Sequence, residues 1–194
     1  MHLIHKEKTQ QYEEVSSLDN NTPLSISSPA ISGPASGHHL QPFTLPDATG
    51  RTVQLWQYLQ RSNVVLFFHH GVDCAACRAA LQELATHTDA FSQEETTVLA
   101  IGPDQLAENQ QLADQIGHPF PFLRDSTGQT VAQQELDIPA LVIADRWGEI
   151  WAAWVGAADH RLPSWQEILQ WLVFIEAQCP ECTMIEWTEQ GEDS

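Results

Sequence analysis

The chain has 194 residues, the size of one domain, and 42% of them are apolar, enough to build a core without staples or metals. Its formal charge is −18, with eight Lys and Arg against 26 Asp and Glu, which is the wrong sign for holding nucleic acid or an anionic membrane surface. No apolar window of about 18 residues occurs and the first twenty residues lack the basic-then-apolar order of a secretory leader, so a cytoplasmic, soluble protein is expected.

Residues 1–38 are rich in Ser, Asn, Gln and Pro, show no sustained apolar period and include the breaker run Ser28-Pro29-Ala30-Ile31-Ser32-Gly33-Pro34. They predict a disordered N-terminal tail, with His38 and His39 as solvated linker residues without a role. Residues 39–178 read as one α/β domain, a central mixed β-sheet flanked by helices. Phe43-Thr44-Leu45 and Thr52-Val53-Gln54-Leu55 flank a turn at Thr49-Gly50 and predict a hairpin, followed by a short helix around Trp56 to Gln60. Val64 to Phe68 is a continuous apolar run suited to a central strand buried on both faces. Asp73 is placed to cap a helix from Cys74 to about Phe91, with Ala79, Ala80, Leu81, Leu84 and Ala85 on its apolar face. Thr97 to Ile101 predicts a second buried strand and Leu106 to Ile116 the helix after it. Ala140 to Ala144 and Ile150 to Val155 predict an antiparallel pair around the turn Asp145-Arg146-Trp147-Gly148. Ser164 and Glu167 form a capping box for a last helix ending near Gln178. Residues 179–194 form a C-terminal tail that opens with a second cysteine pair and ends in acidic residues.

The four cysteines fall into two pairs of one spacing, Cys74-Ala75-Ala76-Cys77 and Cys179-Pro180-Glu181-Cys182. Without a secretory leader, Cys-x-x-Cys points to redox chemistry or metal binding rather than to a structural disulfide framework. The attacking species in thiol chemistry is the thiolate, and the free amides of a helix N-terminus favour negative charge there. Cys74 and Cys77 sit in that first turn, close enough for one to attack and the other to resolve the mixed disulfide. His69 and His70, between strand and pair, are candidates to supply or accept a proton, His70 first because it is nearer in the loop; Arg78 is a candidate electrostatic partner of a thiolate.

From about Gln41 to Gln178 the chain resembles the thioredoxin-like superfamily, and within it the redoxin branch of peroxiredoxins and their relatives, the alkyl hydroperoxide reductase and thiol-specific antioxidant family. The resemblance rests on Phe43-Thr44-Leu45-Pro46-Asp47 with Gly50, the strand Val64 to Phe68, the pair Cys74 and Cys77 followed by Arg78, and Ile138-Pro139-Ala140 leading into a strand. It implies a thioredoxin-like fold, a cis-proline at Pro139 that shapes a substrate groove with His70, and an oxidoreductase exchanging thiols and disulfides, with peroxide reduction as a further antioxidant capacity. It also implies a redox-active disulfide, a cellular thiol reductant of the thioredoxin or glutathione type and a disulfide or peroxide substrate, without cofactor, and a homodimer is compatible with it. Counted as a peroxiredoxin, Cys77 falls on the peroxide-attacking cysteine, Cys74 replaces the threonine that orients the peroxide, and His70 replaces a proline. Counted as a thioredoxin, Cys74 attacks and Cys77 resolves, with Asp73 and Ala75-Ala76 in place of the usual Trp and Gly-Pro. The two registers name opposite nucleophiles; position in the helix favours Cys74, nearer the free amides and solvent.

For Cys179 and Cys182 three readings stand: a second redox pair, half of a zinc site, or an idle surface pair. A last helix from Ser164 to Gln178 is about 22 Å long at 1.5 Å per residue and carries this pair toward the pole opposite Cys74, so exchange would run between two copies of the chain. No metal ligand is assigned; a non-catalytic binding module holding zinc through its cysteines is the competing reading.

Overall fold

The structure is a computed structural model and describes residues 37–156 and 162–178. The hairpin forms from β1 (Thr44–Pro46) and β2 (Thr52–Gln54), paired antiparallel with Leu45 opposite Val53. Its turn is closed by the Asp47 carboxylate, which accepts from the amides of Thr49 and Arg51. The helix expected next is a single 3-10 turn, Leu55–Gln57. Buried Leu55 anchors it to the core, and the Gln54 and Gln57 side chains satisfy each other's backbone amides, so one turn suffices.

The main sheet has the order β5-β4-β3-β6-β7. β3 (Asn63–Phe68) lies at its centre, every residue buried, parallel to β4 (Thr96–Gly102) and antiparallel to β6 (Ala140–Ala144). β5 (Phe122–Arg124) extends the parallel side and β7 (Ile150–Val155) the antiparallel one. The expected strands and the mixed sheet are present. β5 and a helix of five residues, Gln129–Gln133, were not anticipated, being too short to leave a period in the sequence.

The strand residues divide between two cores. Val65, Phe67, Val98, Ala100, Leu141 and Ile143 face one side, against α1 (Ala75–Thr86), α2 (Thr88–Gln93), α3 (Leu106–Ile116) and α5 (Trp165–Ala177). Val64, Leu66, Phe68, Leu99 and Ile101 face the other, under the hairpin, the 3-10 turn and α4 (Gln129–Gln133). The connections β3-α1-β4 and β4-α3-β5 step the same way along the sheet. Two right-handed crossovers in one direction put both helices on one face.

Two expectations about α1 are corrected. It does not run to Phe91 but ends at Thr86, and α2 begins two residues later. The break follows from Thr88, whose hydroxyl donates to the carbonyls of Leu84 and Ala85, groups that the end of a helix leaves free. His87, in the break, stacks on Trp165 at 3.8 Å and ties the end of α1 to the start of α5. The capping residue is Cys74 rather than Asp73: its backbone is extended (φ −79°, ψ 104°) and its sulfur accepts from the Cys77 amide.

At the other end of the chain Ser164 caps α5 as expected, accepting from the Glu167 amide. The first described residues pair with the start of β7, through Gly37 N–H to the Ile150 carbonyl and Ile150 N–H to the His38 carbonyl. His38 and His39 have exposed side chains. Cys179 and Cys182 and nearly all of the expected N-terminal tail lie outside the described residues. Among the described residues, no helix is long and apolar enough to cross a membrane.

Candidate active site

β3 delivers the chain to the C-terminal edge of the sheet, and the loop after Phe68 carries every residue singled out before α1. His69 is buried, its amide bonded to the Ile101 carbonyl and its Nδ1 accepting from the Gly71 amide at 3.1 Å. Its ring lies flat against Gly102, at the end of β4, where a Cβ would come within 2.3 Å of Cε1; only glycine leaves room. Burial drives the His69 pKa down to about 4, so the ring is neutral, and its buried Nε2 has no hydrogen-bond partner among the described residues. His69 is therefore a wedge in the loop and not the exposed proton carrier. That position belongs to His70, which is exposed and whose Nδ1 lies 3.7 Å from the Cys77 sulfur.

The two cysteines differ in surroundings. Cys77 is 1% exposed, with its side chain in the core beside Leu81 and Leu84. Burial, with the neighbouring Cys74 sulfur, pushes its thiol up to about 12, so at neutral pH it is protonated. Cys74 is partly exposed at the N-cap, its sulfur 3.3 Å from the Cys77 amide. That amide is placed to donate to a thiolate on Cys74; backbone hydrogen bonds from the loop reach the Cys77 sulfur too, but burial outweighs them. Both are free thiols.

The loop is pinned from two sides. The Asp104 carboxylate, beyond β4, accepts from the Val72 amide at 3.0 Å and packs over Gly71. Burial raises its pKa, against the Val72 hydrogen bond that lowers it. Arg78 reaches back from α1 to donate to the Val72 carbonyl at 2.5 Å, so its recorded contact holds the loop and not a sulfur. Asp104 and Gly102 leave no functional signal in the sequence beyond the Gly102-Pro103-Asp104 stop at the end of an apolar run.

Pro139 follows a cis Ile138–Pro139 bond and directly precedes β6, whose first residue Ala140 pairs with Phe68. The register thus brings Pro139 to the same sheet end as His69 and His70. Gly156, just past β7, donates to the Pro139 carbonyl. Arg146 is at the far pole, paired with Glu95 and Glu176. Glu176 also accepts from Asn63 at the start of β3, so α5 does run toward the pole opposite the dithiol, as expected from its length.

Comparison with known proteins bears on the fold and the family. A Mycobacterium tuberculosis protein provisionally named a peroxiredoxin, in strains CDC 1551 / Oshkosh and ATCC 25618 / H37Rv, is 30% identical over 83 residues, 43% of this chain and 52% of its own. The match thus spans about half the length of these curated relatives. The crystal structure of peroxidoxin BcpB from Mycobacterium tuberculosis superposes with a TM-score of 0.64 at 18% identity, over 74% of this chain and 97% of that one. A Chlorobium tepidum protein provisionally described as a thiol:disulfide interchange protein DsbE gives 0.60 at 25% identity, over 71% and 98%. These likenesses establish the thioredoxin-like fold. The model of the AhpC/TSA family matches residues 36–152, more than half of the chain, from the hairpin through β6 and into the start of β7, and the chain belongs to that family.

Proposed function

We propose that this protein is a thiol-disulfide oxidoreductase with peroxide-reducing capacity, in which Cys74 attacks and Cys77 resolves. The observation that carries the assignment is the asymmetry of the pair: Cys74 is accessible and capped by an amide, whereas Cys77 is buried and its thiol is pushed up to about 12. It favours the thioredoxin-like register over the one that makes Cys77 the attacking residue.

In the proposed cycle the Cys74 thiolate attacks a sulfur of a substrate disulfide, and the other substrate sulfur leaves as a thiolate. With a peroxide it attacks one oxygen, releases water or an alcohol, and becomes a sulfenic acid. Cys77 then gives its proton to His70, 3.7 Å away, and its sulfur attacks Cys74. This expels the bound substrate thiol, or water from the sulfenic acid, and leaves a Cys74–Cys77 disulfide. A cellular thiol reductant of the thioredoxin or glutathione type returns two electrons to the pair. Pro139 and His70 border the groove in which the substrate lies. Residues 39–178 are the catalytic domain in this reading, acting in the cytoplasm, with residues 1–38 and 179–194 as tails.

The test is turnover of a disulfide and of a peroxide, side by side, with a dithiol reductant. Cys74→Ser is expected to abolish both activities, and Cys77→Ser to accumulate a mixed disulfide detectable by mass spectrometry. Full activity in Cys74→Ser with none in Cys77→Ser would reverse the roles and restore the peroxiredoxin register.

A further inference from the structure

We propose that His70, Cys74 and Cys77 form a three-ligand site for Zn2+ that holds the reduced dithiol as a metal thiolate. One ligand atom from each side chain lies within 4.8 Å of the other two. In a tetrahedral zinc site with Zn–S about 2.3 Å and Zn–N about 2.0 Å, neighbouring ligand atoms stand roughly 3.5–3.8 Å apart. The His70 Nδ1 to Cys77 Sγ separation, 3.7 Å, already has that value. The remaining pairs close by no more than roughly 1.3 Å, within reach of a side-chain rotation at Cys74 or His70, neither of which is buried.

The donor chemistry points the same way. Two thiolates and an imidazole suit Zn2+ and do not suit Mg2+ or Ca2+, which take oxygen ligands; Zn2+ displaces the thiol protons to solvent as the Zn–S bonds form. The nearby carboxylate of Asp104 is occupied with the Val72 amide. With Cys77 at the back of the site and His70 at its exposed rim, the fourth position faces solvent, open to water or an external ligand. The site needs neither Cys179 nor Cys182, so it differs from zinc held between the two cysteine pairs. Metal occupies both sulfurs used in the proposed redox cycle, so Zn2+ acts as a reversible block on that dithiol.

The test uses the reduced full-length chain carrying Cys179→Ser and Cys182→Ser, so that the second pair contributes no ligand. Titration with Co2+ should give, at one equivalent, a thiolate-to-metal charge-transfer band with the intense visible absorption of tetrahedral cobalt. Zn2+ should displace the cobalt and protect Cys74 from alkylation. His70→Ala and Cys74→Ser, each checked for an unchanged circular dichroism spectrum, should weaken Zn2+ binding by more than about 100-fold, the upper range for loss of an outer-shell partner alone. Absence of the tetrahedral spectrum overturns the site, and full affinity in His70→Ala removes the imidazole from it. The readout is equilibrium binding: turnover without zinc affinity sinks this inference alone, and zinc affinity in a protein without turnover sinks the oxidoreductase reading alone.

Discussion

His69 and His70 are neighbours in the chain with opposite environments. His70 is exposed beside a sulfur, whereas His69 is buried between Gly102 and its own loop, accepting from Gly71. Position in the loop ranks His70 first, but the burial of His69 depends on β4 arriving next to β3 with a glycine at the contact. The buried ring has a consequence for stability. Its folded pKa, about 4, lies below the ordinary value of 6.5, so between these values the unfolded chain binds a proton that the folded one refuses. Stability is therefore full above about pH 6.5 and falls as pH drops toward 4, by on the order of 3 kcal/mol over that window. His69→Asn keeps an acceptor for the Gly71 amide and does not titrate, so denaturant unfolding measured from pH 7 to pH 4 should show a shallower loss in the variant. Equal slopes in the two proteins would mean that other groups govern acid stability.

At the scale of elements, the site is an agreement between α1 and the ends of β3 and β4. Cys74 doubles as helix cap and proposed nucleophile, because the backbone leaves β3 through a tight loop and enters α1 only at Ala75. The spacing Cys74 to Cys77 made the pair legible as a first-turn dithiol. It did not reveal that the sulfur itself would replace Asp73 as the cap. Nor did it reveal the clamp on Val72 from Asp104 and Arg78, which joins segments up to 32 residues apart. Gly102 tests how tightly these elements meet. Gly102→Ala places a methyl group into the His69 ring and is expected to cost about 1–3 kcal/mol, as overpacking does, read from the denaturant midpoint. In a His69→Ala background the same substitution should cost much less. Equal costs in both backgrounds would show that the ring contact is not the cause.

The whole molecule places its dithiol at the C-terminal edge of the sheet and its Arg146–Glu176–Asn63 network at the opposite pole. The chain as a whole carries a net charge of −18, which biases its encounters with charged small molecules. Small disulfides of opposite charge should therefore react at different rates with Cys74. At low ionic strength cationic cystamine is expected to outpace an anionic aromatic disulfide by more than their intrinsic reactivities dictate. The excess should shrink as salt is raised from 0.01 to 0.15 M, where the screening length falls from about 30 to about 8 Å. A ratio insensitive to salt would show that the site is shielded from the overall charge.

The residue pattern by itself determined the sheet strands with long apolar runs, the amphipathic helices α3 and α5, the dithiol in the first turn of α1 and the family resemblance. These are local signals, carried by periodicity, caps and spacing within a few residues of one another. The short β5 and α4 left no such signal, and their existence was decided by pairing against β4 and by packing under the hairpin. Position in the chain already ranked Cys74 as the thiol nearer solvent and His70 ahead of His69; the tertiary structure alone decided how deeply Cys77 and His69 are buried and what holds the loop between them. Each of those depends on burial and on contacts from β4 and the residues beyond it, and burial is a property that a segment acquires only from the rest of the fold.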